Sequence, residues 1–298
     1  PTLTPTQLPR RVALIAPPGS EPNQAQAVAD ALAEMSAAAG LTFETLASLA
    51  PSDIPAGLKA VVYLAPTADL LDVVRAAPQV QFVVVSPHEL EPASNLSVIR
   101  SQPEHVSFIA GATAVVIAFD WRAAGLLSAD AIPGGRHEEL FRNGGRYYCG
   151  ICNPYYAPHV RFPLTAALPS GSDPSSWRLK VDELLFNIVY VVYVAPEAAS
   201  PELLGYLAAK KLILIGAQTP PEEVRSRWAA TIASDILTPL KELLPAVLAG
   251  EGGKAVFAPV TFRDVQPAFL SPGRQALIEK IIADLADGWI HPYSVPAQ

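Results

Sequence analysis

The sequence is poor in charge and contains no long apolar run. Only 16% of its 298 residues are Asp, Glu, Lys or Arg, and the formal net charge is −7. The 21 Lys and Arg residues do not cluster into a basic run. This argues against a nucleic-acid partner, because phosphate backbones are bound by grouped cations. The longest apolar candidate, residues 184–196, contains Asn187 and is shorter than the roughly 20 residues that span a bilayer. The sequence predicts no membrane-spanning helix.

Motifs of catalysis and metal binding are also missing. The chain has no G-x-S-x-G, H-E-x-x-H or G-x-G-x-x-G, and its five His residues are scattered. The stretch GEGGK at residues 250–254 fails the phosphate-loop pattern, because Leu248 and Ala255 stand where Gly and Ser or Thr belong. We therefore expect no catalytic residue, no metal site and no cofactor, and an enzyme is the least favoured class.

Cysteine is scarce, and the two residues present, Cys149 and Cys152, form a CxxC. A redox pair of this kind opens a helix, where the helix dipole lowers a thiol pKa, whereas these residues lie near the end of a predicted helix. A zinc site would need two further ligands at suitable spacing. Packed free thiols and a local disulfide remain as the two favoured alternatives.

What the chain does contain is a repeated alternation of short apolar runs and helical patterns. Half of the residues are apolar, and a chain of this length is expected to form two domains. The first half predicts strands at 12–16, 42–46, 60–64, 81–85 and 96–99, with helices at 23–40, 68–77 and 103–117. Such alternation predicts an α/β fold with a doubly wound parallel sheet.

The second half repeats this theme. Strands are predicted at 124–127, 160–168, 188–194 and 212–215, and helices at 137–152, 175–187 and 201–210. Residues 231–234 are expected to return to the first domain, followed by a helix at 236–249, a strand-like run at 255–262 and a helix at 272–287. The predicted domains are 11–122 plus 231–252 and 123–230 plus 253–298, with residues 1–10 as a disordered tether. Core packing is expected for the aromatic group of Tyr147, Tyr148, Tyr155, Tyr156 and Trp177.

Four stretches, in order, resemble one family. PEHVSFIAGATA at 103–114 is similar to the helix E-x-x-S-F-L-A-G-x-L-A-A of the BMP family of nucleoside-binding lipoproteins. FRNGGRYYCGICNP at 141–154 keeps Phe141, Gly144, Asn153 and Pro154 of a second family motif. GSDPSSWRLKVDELL and KLILIGAQ resemble two later ones. The order and spacing agree over roughly residues 11–290.

The resemblance implies a type I periplasmic binding protein, with two Rossmann-like domains joined by three crossovers near 119–123, 230–235 and 250–255. It also implies an extracytoplasmic, monomeric lipoprotein with a lipid anchor upstream of Pro1. Such a protein holds a small polar solute in the cleft between its domains and delivers it to a membrane ABC permease. A ligand-binding sensor that signals to another protein is the alternative.

Candidate ligand-binding residues lie in loops after the carboxyl ends of strands, where doubly wound sheets bind ligands. The first such loop offers Ser20, Glu21, Asn23 and Gln24, although Asn23 is alternatively the N-cap of the first helix. The later loops offer Pro66, Thr67, Ser86, His88, Asp130, Glu197 and Gln218.

Two of these loops depart from the family. Where the family has carboxylates that bind paired sugar hydroxyls, this chain has Ser86-Pro87-His88 and Ala217-Gln218. Pro196-Glu197-Ala198-Ala199 also replaces a glycine-rich family loop. We therefore expect poor binding of nucleosides and a different polar or aromatic metabolite as the solute.

Overall fold

A computed structural model describes residues 10–293 of the chain. They form two compact units, one of residues 10–102 with Asp235–Pro259, the other of Pro103–Ser234 with residues 260–293. Each unit is built on its own six-stranded sheet. The predicted tether lies, apart from Arg10, outside the described residues.

The elements alternate as the sequence predicts. The strands are β1 (Arg11–Ile15), β2 (Thr42–Leu46), β3 (Leu58–Tyr63), β4 (Gln81–Ser86), β5 (Leu96–Arg100), β6 (Ala123–Ser128), β7 (Leu164–Leu168), β8 (Val191–Val194), β9 (Ile213–Gly216), β10 (Trp228–Ser234), β11 (Ala255–Phe257) and β12 (Val260–Arg263). The helices are α1 (Pro22–Ala38), α2 (Leu70–Ala76), α3 (Pro103–Ile117), α4 (His137–Cys149), α5 (Pro174–Leu185), α6 (Pro201–Ala209), α7 (Leu237–Ala249) and α8 (Pro272–Ala286). Five of these helices begin with proline, whose fixed φ suits the first helical position.

The first unit has a wholly parallel sheet in the order β11-β5-β4-β3-β1-β2. Its two faces are both covered. Val12 and Leu14 face a core shared with α1 and α7, whereas Ala13 and Ile15 face a second core shared with α2. Burial on both faces explains why these strands are continuous apolar runs.

The second unit has the order β12-β10-β9-β8-β6-β7, parallel except for the antiparallel edge strand β12. Helix α3 packs on this sheet and against α4, and twelve of its fifteen residues are buried. Two glycines allow the two helices to touch. A Cβ on Gly111 would lie 1.9 Å from the carbonyl oxygen of Phe141, and one on Gly144 would lie 1.8 Å from that of Phe108.

The predicted domain boundaries differ from the observed ones. Helix α3 was expected to close the first domain, but its apolar surface is buried against the sheet of the second unit. Strand β10 does not return to the first unit, because it pairs with β9 and β12. The run 255–262 is two strands, one in each sheet, separated at Pro259. Within residues 10–293 the chain therefore crosses between units at 102–103, 234–235 and 259–260.

The region around the two cysteines resolves one open alternative and corrects one expectation. Cys149, the last residue of α4, and Cys152 form a disulfide, so the local-disulfide alternative is confirmed. Trp177 is buried, but Tyr155 is 82% exposed and Tyr147, Tyr148 and Tyr156 are exposed as well. Core packing was the wrong expectation for these four tyrosines, because they lie where α4 and the following segment leave the sheet.

No helix within residues 10–293 is long and apolar enough to cross a membrane.

Candidate functional site

The loop after β1 places four of the predicted site residues at the start of α1. Glu21 is the N-cap of this helix, and its carboxylate accepts hydrogen bonds from the Gln24 backbone N–H and, at 3.2 Å, from Asn23 Nδ2. The N-cap reading of Asn23 is therefore wrong, and its amide is exposed. Ser20 Oγ donates to the carbonyl of Pro17 at 2.8 Å. This loop offers Asn23 and Gln24 as amides, while the Glu21 carboxylate already holds the helix terminus.

The loop after β3 carries two hydroxyls without partners. Thr67 Oγ1 and the Tyr63 hydroxyl are both buried and make no hydrogen bond to the protein. Burial and, to a smaller degree, the charge of Asp69 raise the pKa of Tyr63 to about 12, so the phenol stays protonated. Pro66 is exposed beside them. Tyr63 was missed from the sequence because it reads as one more apolar strand residue.

The loop after β4 closes on itself. Ser86 Oγ donates to the His88 carbonyl at 2.9 Å and accepts from the His88 backbone N–H at 3.2 Å, so its one proton is already used within the turn. The His88 side chain is exposed. Of these two predicted site residues, only His88 has side-chain polar atoms that are not used in hydrogen bonds within the turn.

Arg100, at the carboxyl end of β5, was not predicted. Its guanidinium lies 3.9 Å from Glu89 Oε1 and 5.9 Å from the centre of the Phe257 ring, and its Nε is buried without a partner. It supplies a cation at the same edge of the sheet as Thr67 and Ser86, because parallel strands end together. A charged residue at the carboxyl end of an apolar strand was the sequence signal that could have identified Arg100.

In the second unit, Asp130 ties two loops together. Its Oδ1 accepts from Ser128 Oγ at 2.6 Å and from Ser170 Oγ and N at 2.6 and 2.9 Å. The hydroxyls of Ser128 and Ser170 hold the pKa of Asp130 at about 2. This carboxylate positions the loops after β6 and β7 through Oδ1, which leaves Oδ2 as the oxygen that can accept from a ligand.

Glu197 follows β8 and is chemically different from Asp130. Its surface is exposed, yet the surrounding protein displaces enough water to raise the pKa of its carboxyl, and the nearby Asp130 carboxylate raises it further. The charged form is thereby disfavoured. Glu197 is therefore a ligand-accessible carboxyl group whose charge the protein stabilises less than that of Asp130.

Gln218, after β9, has the most unusual environment among the predicted residues. Both its Nε2 and its Oε1 are buried, and neither makes a hydrogen bond to the protein. Its carbonyl oxygen is held by Thr231 Oγ1 at 3.1 Å, which fixes the backbone from which this amide projects. The preceding Gly216 leaves room for the Trp228 indole, since a Cβ there would lie 2.3 Å from that ring.

Topology brings the candidates together within each unit. Strands β4, β3 and β1 are neighbours in the first sheet, so their loops with Ser86, Thr67 and Ser20 are adjacent. Strands β9, β8 and β6 are neighbours in the second sheet and carry Gln218, Glu197 and Asp130. The first unit offers hydroxyls and the Arg100 cation at this edge of its sheet, and the second unit offers the Gln218 amide and the Glu197 carboxyl, whose pKa is raised.

Other features of the described residues do not add to this site. No group of His, Cys, Asp and Glu within residues 10–293 is arranged to hold a metal ion. A pocket of about 520 Å³ at the start of β10 is lined by residues between 220 and 228 and by residues 264–267, and none of the predicted site residues is among them. Its cation, Arg225, already pairs with Glu222 at 2.9 Å and lies 3.9 Å from Asp264.

Comparison with known proteins defines the fold. No protein-family model and no curated protein sequence match the chain. An ABC transporter solute-binding protein from Conexibacter woesei DSM 14684 matches with a TM-score of 0.69 at 16% identity, covering 95% of this chain and 98% of that one. A transcriptional activator of the comK gene from Bacillus halodurans matches with a TM-score of 0.71 at 12% identity, covering 95% and 100%.

A third structure carries a sugar. It is a carbohydrate transporter solute-binding protein from Agrobacterium radiobacter in complex with D-arabinose, with a TM-score of 0.54 at 15% identity, covering 92% of this chain and 100% of that one. The chain has the fold of the type I periplasmic binding proteins, with two Rossmann-like α/β units. The predicted fold class is confirmed.

Proposed function

We propose that this protein is an extracytoplasmic solute-binding protein that binds one small polar metabolite and delivers it to a membrane ABC permease. The proposed binding residues are those at the carboxyl ends of the parallel strands, with the buried amide of Gln218 in the second unit as the principal polar group. Solute-binding proteins of ABC transporters are among the structures that share this fold, which supports the assignment.

The observation that carries the proposal is the unpartnered amide of Gln218. Buried polar groups in native proteins are nearly always hydrogen-bonded, and a buried donor or acceptor left without a partner costs about 1 to 3 kcal/mol. Gln218 has one of each. A solute that supplies the missing partners would recover this free energy on binding.

The same groups define the chemistry of the solute. In the second unit, the amide donor and acceptor of Gln218 and the Glu197 carboxyl, whose pKa is raised, suit a neutral polar molecule. Ser86-Pro87-His88 and Ala217-Gln218 stand where the BMP family, which the sequence resembles, has sugar-binding carboxylates. Each charge-assisted hydrogen bond lost costs about 1.5 to 3 kcal/mol, so two losses weaken nucleoside binding by at least about a hundredfold. Adenosine, guanosine and inosine are therefore poor candidates.

Titration calorimetry with Gln218→Ala tests the site. Protein freed of solute by unfolding and refolding is titrated with D-ribose, D-arabinose, adenosine and inosine, and with any metabolite recovered from the purified protein. For whichever compound binds, Gln218→Ala should weaken binding by about ten- to a hundredfold, which corresponds to about 1 to 3 kcal/mol. Gln275→Ala is the matched control, because Gln275 is a half-buried glutamine on α8 whose amide pairs locally with Glu279. Unchanged affinity in Gln218→Ala would remove Gln218 from the site.

A ligand-binding sensor is the second candidate, favoured by the transcriptional regulators that share the fold. In that case the solute-bound state would signal to a partner protein instead of feeding transport. Permease and ATPase genes beside this gene would support uptake, and their absence together with an adjacent signalling gene would support sensing.

The finer parts of the proposal rest on sequence. Membership of the BMP family, a lipid anchor upstream of Pro1 and a monomeric state belong to it as expectations of that resemblance. Two of the residues that carry the resemblance, Gly111 and Gly144, lie where α3 and α4 touch. These motif positions support a shared way of packing helices and carry no information about the solute.

A further inference from the structure

One end of the second unit exposes an unusual number of large apolar side chains. They come from the turn before β6, from the end of α4 with the segment leading to β7, and from the segment before β8. This end is opposite to the carboxyl ends of β6, β8 and β9, where Asp130, Glu197 and Gln218 lie. We name these side chains the aromatic patch; they are Phe119, Tyr147, Tyr148, Ile151, Tyr155, Tyr156, Phe186, Ile188 and Tyr190.

The central rings of the aromatic patch contact each other. The Phe119 ring centre lies 6.3 Å from that of Tyr156 and 6.2 Å from that of Tyr190, and Tyr155 lies 5.0 Å from Tyr156. These four rings form a continuous surface at the centre of the aromatic patch. Exposed apolar groups that are contiguous mark interaction sites far more often than scattered ones.

A buried arginine fixes this surface. The Arg122 side chain is 2% exposed and lies 3.4 Å from Asp120. It donates to the carbonyls of Asn187 at 2.9 Å, of Ala157 at 3.1 Å and of Tyr156. Asp120 in turn accepts the backbone N–H groups of Tyr155 and Tyr156 at 2.6 and 3.1 Å. One buried ion pair thus holds the three segments together and presents their rings to solvent.

The charge around the aromatic patch is positive although the chain is acidic. Arg146, Arg161 and Lys211 are exposed and make no ion pair with any carboxylate of residues 10–293. Arg146 and Arg161 lie in the three segments that carry the aromatic patch. Lys211 lies just before β9, which is the neighbour of β8 in the sheet. Asp120 is the one acidic residue of the patch segments, and its carboxylate is already paired. The surface therefore combines aromatic rings with unneutralised cations.

We infer that the aromatic patch binds an anionic lipid surface. Tyrosine presents an apolar ring with a polar tip and is enriched at membrane interfaces, and each Lys or Arg near an anionic bilayer adds about fivefold to the binding constant. A second copy of the chain fits less well. In a twofold pair each patch would face itself, so the unpaired cations would meet cations.

Co-sedimentation with vesicles tests this inference and needs no solute, so it is independent of the proposed uptake function. The protein should bind vesicles containing phosphatidylglycerol more tightly than vesicles of phosphatidylcholine alone, and added salt should reduce the difference. Replacing two of the three cations, Arg161→Gln with Lys211→Gln, should weaken binding to the anionic vesicles by about 25-fold. Tyr155→Ser with Tyr156→Ser should weaken binding to both kinds of vesicle.

Matched variants outside the aromatic patch provide the controls. Trp289 is 82% exposed, as is Tyr155, and Lys241 is an exposed cation in the first unit. Trp289→Ser and Lys241→Gln should bind vesicles like the wild type. Equal binding to both vesicle types, or patch variants that bind like the wild type, would overturn the inference. So would a dimer, seen by sedimentation velocity without vesicle binding, that Tyr155→Ser with Tyr156→Ser abolishes.

Discussion

Replacing Gly111 by alanine should disrupt the closest helix contact of the second unit. A Cβ at this position would lie 1.9 Å from the carbonyl oxygen of Phe141 on α4. Unstrained contacts between carbon and carbonyl oxygen are about 3.3 Å or longer. Because the obstructing atom belongs to the backbone, it cannot rotate away, and the two helices would have to separate by more than about 1 Å.

The magnitude follows from two opposing effects. Overpacking of a tight interior costs about 1 to 3 kcal/mol, and a rigid backbone obstacle places Gly111→Ala at the upper end. Alanine recovers about 1 kcal/mol through its better helix propensity. The net loss is therefore about 2 kcal/mol. Gly205→Ala is the matched control, because Gly205 of α6 has nothing within 4 Å of the added Cβ, and this variant should gain up to about 1 kcal/mol.

Urea unfolding followed by tryptophan fluorescence measures both changes. All four tryptophans lie in the second unit, so their emission reports on that unit alone. With a slope of about 2 kcal/mol per molar urea, Gly111→Ala should lower the midpoint by about 1 M and Gly205→Ala should raise it. A midpoint for Gly111→Ala equal to that of the wild type would refute the close packing of α3 on α4.

Three further results are expected. Burial lowers the pKa of His137 to about 4, so the unfolded chain binds the proton at a higher pH than the folded protein does. The free energy of unfolding should therefore fall by about 3 kcal/mol as the pH drops from about 6.5 to 4. Denaturant unfolding of His137→Gln at each pH should lack this fall. Replacing Cys149 and Cys152 by alanine should cost about 2 kcal/mol in denaturant unfolding, because the disulfide closes a very short loop, and a loss above about 4 kcal/mol would contradict this. Thr231→Val should lower the free energy of unfolding by about 1 to 3 kcal/mol and alter the fluorescence of Trp228, because the buried indole N–H donates to Thr231 Oγ1 at 3.0 Å. A variant with wild-type stability and fluorescence would disprove that contact.

Periodicity predicts the individual elements well but not the unit to which each belongs. The apolar runs at β1, β3 and β8 are buried on both sides, so their pattern is strong wherever the strand lies. Helix α3 is buried nearly all round, and no polar face indicates which sheet it covers. The division of 255–262 into β11 and β12 depends on pairing with β5 and β10, which are distant in sequence.

The candidate site is predictable in its location and only partly in its residues. Loops after parallel strands follow from the alternation of strands and helices, and this places Gln218 and Glu197 correctly at strand ends. Which groups are free for a ligand depends on contacts that the sequence does not display. Ser86 is occupied by its own turn, and Asp130 by two serine side chains. Arg100 and Tyr63 are polar residues at the ends of otherwise apolar strands, and that position is the signal for them.

Native mass spectrometry of the protein as purified tests the central claim of solute binding most directly. We expect a population heavier than the polypeptide by the mass of one small polar metabolite, which disappears after unfolding and refolding. In Gln218→Ala purified in the same way, the heavier population should be strongly reduced, whereas in Gln275→Ala it should persist. Wild-type protein that carries no such mass, and that acquires none when refolded protein is exposed to an extract of small metabolites, would contradict the account.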